Sequence, residues 1–546
     1  MLRGFVGIAI VVAVWPLAAQ APPRDTAPAP AGTSVIRGRV IAAGDDRPLP
    51  KVEVRVLSSA LKVDQATLTD ANGRYEFTGL AAGRYTIACS KANFVRATYG
   101  QRRPLGPGLP IVVATGQVVT RIDVALLRTG VVSGRVLDEF GDPAVGALVS
   151  PMRYQFINGE RRLQQSGRGA STNDIGEYRM YGLMPGRYFF AATAANRFGF
   201  GDSNERTAYA PTYYPGTGNI AEAQRLMVSA GQAITSINLS LLPVTAARIS
   251  GVALDAQGRP LAGAYVNLTR RLGWGMSGGG TQVRADGTFT LGGVTPGEYT
   301  LRASMMGVQD EVAIAEVTLN GGDLTDIQLV LTKASTLRGR IVFERGDAKP
   351  PQASAIRVSA SHSDSIMARG GFANAKDDAT FELKPSAGHL LIRAGVFGTG
   401  DWRLKRVVTA DGVDVTDTGL DVPADATIDG IVVELTSRHS EVSGSVTDAG
   451  GARVRDCVVV AFAQDQQRWT AQTRYFGTSR PDVDNTFHLR LPAGDYYAAA
   501  FEELETGVAY NDPDVLQQLR DRAITFSIAE QEKKTLSLTL SAAPVF

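Results

Sequence analysis

The sequence predicts an all-β protein, organised as a tandem array of about five Greek-key antiparallel β-sandwiches. Three observations predict this fold class. Short runs of β-branched and aromatic residues alternate with Gly, Pro and Asp, apolar patterns of helical period are scarce, and one segment of roughly 100 residues recurs along the chain. Because 546 residues are too many for a single core, each recurrence is expected to be a separate domain.

The first stretch of the chain predicts export. Met1-Leu2-Arg3 is a short basic region, an apolar run follows over 5–14, and small residues lead to Ala21, so residues 1–21 have the pattern of a signal peptide. Cleavage is expected after Ala19 or Ala21. The alternative is a retained membrane anchor, but the apolar run is shorter than the roughly 20 residues that a spanning helix needs.

After the signal peptide, a Pro/Ala-rich linker covers 22–32 and no later segment has the length of a transmembrane helix. We therefore expect an extracytoplasmic protein of the periplasm, cell surface or medium. Charge is balanced, with 56 Lys and Arg against 54 Asp and Glu, so neither nucleic acid nor an anionic membrane surface is an expected partner.

The repeats are predicted as five sandwiches, numbered in chain order: 33–128, 129–245, 246–335, 336–438 and 439–546. Each opens with a strand that contains a glycine, as in Ile36-Arg37-Gly38-Arg39-Val40. A glycine inside a strand predicts a bulge or a close backbone approach. The equivalent glycines, here called the framework glycines, are Gly38, Gly134, Gly251, Gly339 and Gly444.

A second shared motif covers 69–87 in sandwich 1. A turn cluster over 70–73 precedes Tyr75 and Phe77, which alternate with polar residues, and a second turn between Gly79 and Gly83 leads to another alternating run. This order predicts a β-hairpin. Each repeat then ends with an apolar strand, a turn and an alternating strand, which brings the count to about seven strands in each unit.

These motifs resemble the carboxypeptidase regulatory-like domain. The strongest resemblance is in sandwiches 1 to 3: the Asp-x-x-Gly-x-Tyr-x-Phe pattern is at 70–77, the Pro-Gly-x-Tyr pattern is at 185–188, and the other copies keep their glycines. It implies transthyretin-like, Ig-like sandwiches of the carbohydrate-binding-like fold, an extracytoplasmic setting, and binding, adhesion or spacing as the usual role. It does not imply peptidase activity.

The residues favour a protein that is not an enzyme and has no cofactor. Its four histidines, His362, His389, His439 and His488, lack the spacing of a zinc site, and His389 and His488 are predicted as exposed strand residues. The match to Gly-x-Ser-x-Gly around Ser277 lies in a glycine-rich loop without a following helix. The Asp70 turn resembles half of a calcium loop, but Asn173 and Arg284 replace the aspartate in later copies, which favours a structural turn.

Four loop aromatics are the candidate ligand contacts: Tyr99, Tyr213, Tyr214 and Trp274. Trp402 is a fifth aromatic in or beside a presumed loop. Flat rings with a polar edge suit sugar faces, and they equally suit protein interfaces or burial against the sandwich. The expected partner is a polysaccharide or a cell-surface protein. The alternative function is a regulatory or accessory subunit of a secreted hydrolase or an outer-membrane transport system.

Two local features complete the predictions. Asp512 followed by Pro513 predicts a short helix through Arg520, with Asp512 as its cap. The two cysteines, Cys89 and Cys457, fall in the first and last repeats, and we expect two separate buried thiols. A disulfide between them would require the array to fold back on itself.

Overall fold

The computed structural model describes residues 32–543, apart from 59–62, 102–103, 105, 107, 158–159, 195–206, 271–278, 306–310, 345–347, 363–369, 398–401, 471, 483, 503 and 505–508. The predicted signal peptide and all of the predicted linker except Gly32 lie outside the described residues. Contacts within the chain divide it into two compact units, Met1–Arg128 and Thr129–Phe546. In the part of the chain that is described, no helix has the length and apolarity needed to cross a membrane.

The structure is all-β, and five successive segments each close a separate apolar core. Alternation explains the pairing of sheets: in Arg74–Leu80 the side chains of Tyr75, Phe77 and Leu80 are buried while Arg74 and Glu76 face solvent. A strand with one apolar face needs a second sheet to cover it, and each segment provides one. The sandwich boundaries given above stay predictions.

Sandwich 1 forms the first unit. Its strands are β1 (Ser34–Ala42), β2 (Glu53–Ser58), β3 (Val63–Leu68), β4 (Arg74–Leu80), β5 (Gly83–Ser90), β6 (Ala97–Thr98), β7 (Ile111–Val113), β8 (Val118–Val119) and β9 (Val124–Leu126). One sheet has the order β4-β1-β8, with β9 also pairing with β1, and the other has the order β3-β2-β5-β6, with β7 pairing with β5. Both sheets contribute to one core.

Sandwich 2 repeats this plan with extra strands. Its elements are β10 (Gly130–Leu137), β11 (Leu148–Ile157), β12 (Glu160–Gln165), β13 (Ala170–Ser171), β14 (Glu177–Leu183), β15 (Gly186–Thr193), β16 (Thr207–Ala210), β17 (Thr212–Tyr213), a 3-10 turn (Ile220–Glu222), β18 (Leu226–Val228), β19 (Ala233–Ile234), β20 (Leu239–Ser240) and β21 (Leu242–Thr245). The sheet β14-β10-β19, joined by β20, faces the sheet β12-β11-β15-β17, joined by β13 and β18, and β16 pairs with β21.

In sandwich 3 a single strand pairs in parallel with the first strand, whereas sandwiches 1 and 2 use two short strands there. Its strands are β22 (Ala247–Leu254), β23 (Tyr265–Arg270), β24 (Gly280–Gln282), β25 (Thr288–Val294), β26 (Gly297–Ser304), β27 (Glu311–Leu319), β28 (Leu324–Val330) and β29 (Thr332–Lys333). The sheets have the orders β25-β22-β28 and β24-β23-β26-β27-β29. Both contribute to the core around Phe289 and Tyr299.

Sandwich 4 pairs two four-stranded sheets, β33-β30-β37-β35 and β32-β31-β34-β36. Its elements are β30 (Thr336–Phe343), a 3-10 turn (Ala353–Ala355), β31 (Ile356–His362), β32 (Gly371–Asn374), β33 (Thr380–Leu383), β34 (Gly388–Val396), β35 (Arg403–Val408), β36 (Leu420–Val422) and β37 (Thr427–Thr436). Trp402 is 6% exposed and belongs to the core, where its ring meets Phe343 edge-on at 5.2 Å between centroids.

Sandwich 5 adds a helix to the plan. Its elements are β38 (Ser440–Thr447), β39 (Val458–Ala463), a 3-10 turn (Gln466–Arg468), β40 (Phe476–Ser479), β41 (Phe487–Leu491), β42 (Gly494–Phe501), α1 (Pro513–Arg520), β43 (Ile524–Ile528) and β44 (Lys533–Ser541). All six residues of β39 are buried, because α1 covers the outer face of this sheet. The predicted helix is confirmed, and the Asp512 side chain accepts from the Asp514 amide.

The predicted hairpin is wrong in all five sandwiches. β4 pairs with β1 and β5 pairs with β2, so the glycine turn between them carries the chain from one sheet to the other. Tyr75 and Phe77 on β4 and Tyr85 and Ile87 on β5 all enter the same core. Alternating apolar and polar residues show that each strand buries one face. Two such strands can be neighbours in one sheet, or they can face each other from the two sheets of a sandwich.

The first and closing strands of every sandwich pair in parallel. In sandwich 5 the pairing of β38 with β44 extends from Glu441↔Lys533 to Thr447↔Thr539. The corresponding pairs are β1 with β8 and β9, β10 with β19 and β20, β22 with β28, and β30 with β37. The remaining ladders are antiparallel, apart from a short contact between β42 and β44.

The framework glycines lie where the closing strand approaches most closely. A Cβ atom built on Gly38 would lie 1.9 Å from the carbonyl oxygen of Ile122, and the other four would lie 1.9–2.1 Å from an equivalent oxygen. The predicted close approach is thus confirmed. In sandwiches 1 and 2 a tyrosine hydroxyl donates to that same oxygen, Tyr75 to Ile122 and Tyr178 to Ile237, each at 2.6 Å.

Candidate functional site

The predicted ligand contact of sandwich 1, Tyr99, lies just after β6. Its amide donates to the carbonyl oxygen of Ile87 at 2.9 Å, and its own carbonyl accepts from Leu109 at 2.7 Å. The ring packs against the core and is only partly exposed. Tyr99 therefore ties a loop to the sandwich, and its half-exposed edge is the part that a ligand can reach.

Tyr213 and Tyr214 hold the loop between β17 and β18. The Tyr213 amide donates to Thr217 at 2.7 Å, and the Tyr214 amide donates to Phe190 at 2.9 Å. The Tyr214 ring packs against the core of sandwich 2. Tyr213 packs on the outer face of the larger sheet, beside Phe189.

Burial raises the pKa of Tyr213. Tyr213 and Tyr214, although adjacent in sequence, thus pack against different apolar clusters. Tyr99 belongs to the other unit, and Trp274 lies outside the described residues. Among the residues described, the predicted contacts that lie in one unit are therefore Tyr213 and Tyr214, which pack against separate clusters.

The histidines have separate surroundings. His362 is buried, with Nε2 3.1 Å from the Ser386 hydroxyl. The half-buried His389 contacts the carboxylate of Asp421 at 2.6 Å and the Thr418 carbonyl at 2.7 Å. The His488 side chain is 67% exposed. Within the described ranges, no three His, Cys, Asp or Glu side chains converge as metal ligands.

The Asp70 carboxylate accepts hydrogen bonds from backbone amides of its own turn. Asp70 Oδ1 accepts from the amides of Asn72 at 2.9 Å and Arg74 at 2.7 Å. The neutral Asn173 makes the same two bonds, to Ile175 and Glu177. Because an amide oxygen replaces the carboxylate without change of geometry, the motif acts as a turn. The Gly-x-Ser-x-Gly segment, including Ser277, lies outside the described residues except for Gly279.

Both cysteines are free and buried, as predicted. Burial raises the pKa of Cys89 to about 12 and that of Cys457 to about 11. A thiol in this state stays protonated at neutral pH and is a poor nucleophile, so both act as small apolar core residues.

A cationic cleft, which the sequence did not predict, lies between sandwiches 4 and 5. Its volume is about 460 Å³. Five of its lining side chains carry a positive charge and one carries a negative charge: Arg393, Arg403, Lys405, Arg438, Arg474 and Glu530. His439, Tyr475 and Gln472 complete its polar wall.

Arg393 joins the two sandwiches at the base of this cationic cleft. From β34, its guanidinium donates to the carbonyl oxygen of Thr416 at 2.6 Å and, in sandwich 5, to that of Gln472 at 2.9 Å. Ser361 also bonds the Gln472 side chain, at 2.9 Å. Burial lowers the pKa of Arg393, because desolvation disfavours its charge.

The remaining cations differ in their pairing. Arg474 makes an ion pair with Asp417 at 2.9 Å, and Lys405 makes one with Glu344 at 2.6 Å. Arg403 donates instead to the Arg490 carbonyl oxygen at 2.5 Å. The lining cations are spread over about 80 positions of sequence, and only the meeting of two sandwiches brings them together. The basic run Arg403-Leu404-Lys405-Arg406 was the one local signal.

Comparison with known proteins supports the fold. Residues 35–127 and 248–332 match the model of the carboxypeptidase regulatory-like domain. Sandwich 2, which has the same motifs but a longer loop, lies outside the matched ranges. No curated protein matches the chain.

Several solved structures align with it. The Bacillus anthracis TIE protein is 12% identical, with 76% of this chain and 74% of that chain covered and a TM-score of 0.16. A streptococcal ancillary pilin is 14% identical over 55% and 98%, with a TM-score of 0.20. BcpA, the major pilin subunit of Bacillus cereus, is 11% identical over 54% and 99%, with a TM-score of 0.16. Residues 35–127 and 248–332, within sandwiches 1 and 3, are thus similar to carboxypeptidase regulatory-like domains.

Proposed function

We propose that the chain is an exported, non-enzymatic protein whose β-sandwiches act as binding, adhesion or spacer modules outside the cytoplasm. The observation that best supports this proposal is repetition. Five segments each close a separate core, with a framework glycine against the closing strand each time. Repeated units of this kind provide length and loop surface, with each fold independent of any ligand.

Carbohydrate contact through loop aromatics is the finer part of the proposal. Tyr213 and Tyr154 are both half-buried and pack against the apolar cluster that contains Phe189. The apolar face of a sugar can therefore contact either ring. The same loop aromatics suit a protein partner. The alternative role, as an accessory subunit of a secreted hydrolase or transport system, uses these surfaces to hold the partner.

Export is tested by fractionating cells that produce the full chain and sequencing the amino terminus of the recovered protein. We expect an extracytoplasmic protein that begins at Gln20 or Pro22. A chain that keeps Met1 and stays in the cytoplasm would contradict the export part of the proposal.

Sugar contact is tested on a glycan array with the full chain and the variant Tyr213→Ala/Tyr214→Ala. We expect at least about a tenfold loss of signal, because stacking on an aromatic ring contributes about 1 kcal/mol or more. Tyr181→Ala is the matched control, since Tyr181 is 56% exposed on β14 of the same sandwich. Absence of any glycan signal, or equal loss in the control, would leave adhesion or spacing without a sugar.

A further inference from the structure

The cationic cleft between sandwiches 4 and 5 carries more positive charge than its own carboxylates neutralise. Glu530 is the single acidic residue in its lining, against five Lys and Arg side chains. The ion pairs with Asp417 and Glu344 account for Arg474 and Lys405. The other three cations face one carboxylate in the lining, that of Glu530, so positive charge stays in excess.

Two of these three, Arg393 and Arg403, bond only to backbone carbonyl oxygens among the residues that the structure describes. A carbonyl satisfies an N–H donor without cancelling the charge of the guanidinium. Desolvating a charge is unfavourable, and Arg393 is largely removed from water. The Asp417 carboxylate attracts its charge, but that carboxylate is already ion-paired with Arg474. An interface built only to join two sandwiches would gain more from neutral side chains at these positions.

The third, Arg438, lies in the link between β37 and β38 and is exposed at the cleft. Its charge acts on the carboxylate of Glu344, which already bonds Lys405 and the Thr436 hydroxyl. Among the residues that the structure describes, the Arg438 guanidinium forms no ion pair, and it is exposed to a ligand in the cleft. Arginine presents a planar set of donors that matches carboxylate and phosphate oxygens.

We propose that this cationic cleft is a binding site for a small oxyanion, a carboxylate- or phosphate-bearing molecule held between Arg393, Arg403 and Arg438. Its volume of about 460 Å³ lies in the range of small-molecule sites and is too small for a folded partner. Gln472, Arg474 and Glu530 of sandwich 5 line the opposite side, so a ligand in the cleft lies between the two sandwiches. This site is independent of the loop aromatics, and each proposal can fail without the other.

The test is titration calorimetry on the full chain at low salt, with two anionic probes and one neutral probe. Inorganic phosphate represents phosphate esters, digalacturonate represents acidic sugars, and maltose is the neutral comparison. We expect one of the two anions to bind with a stoichiometry of one, more weakly as salt is raised, and maltose to give no heat. The anion that binds identifies the class of ligand.

Arg438→Gln and Arg403→Gln test the placement of the site. Each is expected to weaken binding at least about tenfold, because a charge-assisted bond is lost. Arg340→Gln is the matched control: it removes the same charge from an exposed position of sandwich 4 that is not in the cleft lining, and it should leave affinity within about twofold.

No saturable heat with either anion would overturn the proposal. So would binding that survives both cleft substitutions, or an equal loss in Arg340→Gln. Thermal unfolding of each variant without ligand checks that the chain still folds. If Arg403→Gln fails to fold, Arg438→Gln decides the question, because the Arg438 side chain is exposed and forms no ion pair across the interface among the described residues.

Discussion

At the scale of single residues, the framework glycines show how much of a local contact can be predicted. A glycine inside a strand predicts a close backbone approach, and this expectation was correct at all five positions. The identity of the neighbouring atom could not be predicted. It is a backbone carbonyl oxygen 76 to 103 residues further on in sequence, a separation that no local pattern encodes.

Replacing one framework glycine should destabilise its sandwich strongly. In Gly251→Ala the added Cβ would lie 1.9 Å from the Ile327 carbonyl oxygen, so the parallel pair β22–β28 must separate. We expect a loss of about 2–4 kcal/mol in the free energy of unfolding of sandwich 3. Calorimetry of the full chain should show one transition moving to lower temperature.

Gly322→Ala is the control for that substitution. Gly322 lies in the same sandwich, and a Cβ built there meets no atom within 4 Å. Its transition should stay within about 0.5 kcal/mol of the parent protein. Equal effects of the two substitutions would show that the close approach at Gly251 does not limit the fold.

At the scale of elements, the sequence predicted those whose causes are local. The α1 helix was found because Asp512 and Pro513 are adjacent and satisfy the first amides of the helix. The supposed hairpin failed because alternation identifies a strand and its buried face without saying which strand is its neighbour. The prediction identified the buried faces of β4 and β5 correctly but paired the two strands with each other, whereas β4 pairs with β1 and β5 pairs with β2.

Removing the helix cap should loosen α1 without unfolding the chain. Asp512→Ala loses the bond to the Asp514 amide, at 3.0 Å, and we expect about 1 kcal/mol less protection of the helix amides in hydrogen exchange. Asp512→Asn should keep most of that protection, because an amide oxygen also caps.

Asp521→Ala provides the comparison at the other end of α1. Asp521 is at the C-cap, where a negative charge opposes the helix dipole, so its removal should leave protection unchanged or slightly higher. If Asp512→Ala left the helix amides as protected as before, packing of Val515, Leu516 and Leu519 would be sufficient to form the helix.

At the scale of the whole molecule, the number of sandwiches was predictable and the contacts between them were not. Five repeats are visible as five copies of a motif. The contacts within the second unit join distant side chains, such as Arg161 of sandwich 2, which lies 3.3 Å from Asp514 of sandwich 5. Arg393, Arg403 and Arg438 were missed as site residues for this reason, since their neighbours lie in another repeat.

The ion pair between Arg474 and Asp417 should help to hold sandwiches 4 and 5 together. Its side chains are 24% and 38% exposed, so solvent weakens the interaction, and we expect Asp417→Ala to cost about 1 kcal/mol. Opening of the interface would then rise about fivefold, measured as faster proteolysis in the link over 437–439.

Asp429→Ala serves as the charge-matched control. Asp429 lies in the same sandwich, is 65% exposed and approaches Arg338 only at 3.9 Å. Its proteolysis rate should equal that of the parent protein. Unchanged proteolysis in Asp417→Ala would mean that the Arg393 and Arg403 bonds to carbonyl oxygens hold the two sandwiches without the ion pair.

The parallel pairing of first and closing strands has a mechanical consequence. Because the strands point the same way, the chain enters each sandwich at one end of this pair and leaves at the other. Tension applied to the two ends of the polypeptide therefore drags the paired strands past each other lengthwise, and their hydrogen bonds resist as a group rather than opening one by one. The seven-residue parallel pairs of sandwiches 4 and 5 should therefore resist such a pull more than the shorter pairs of sandwiches 1 and 2.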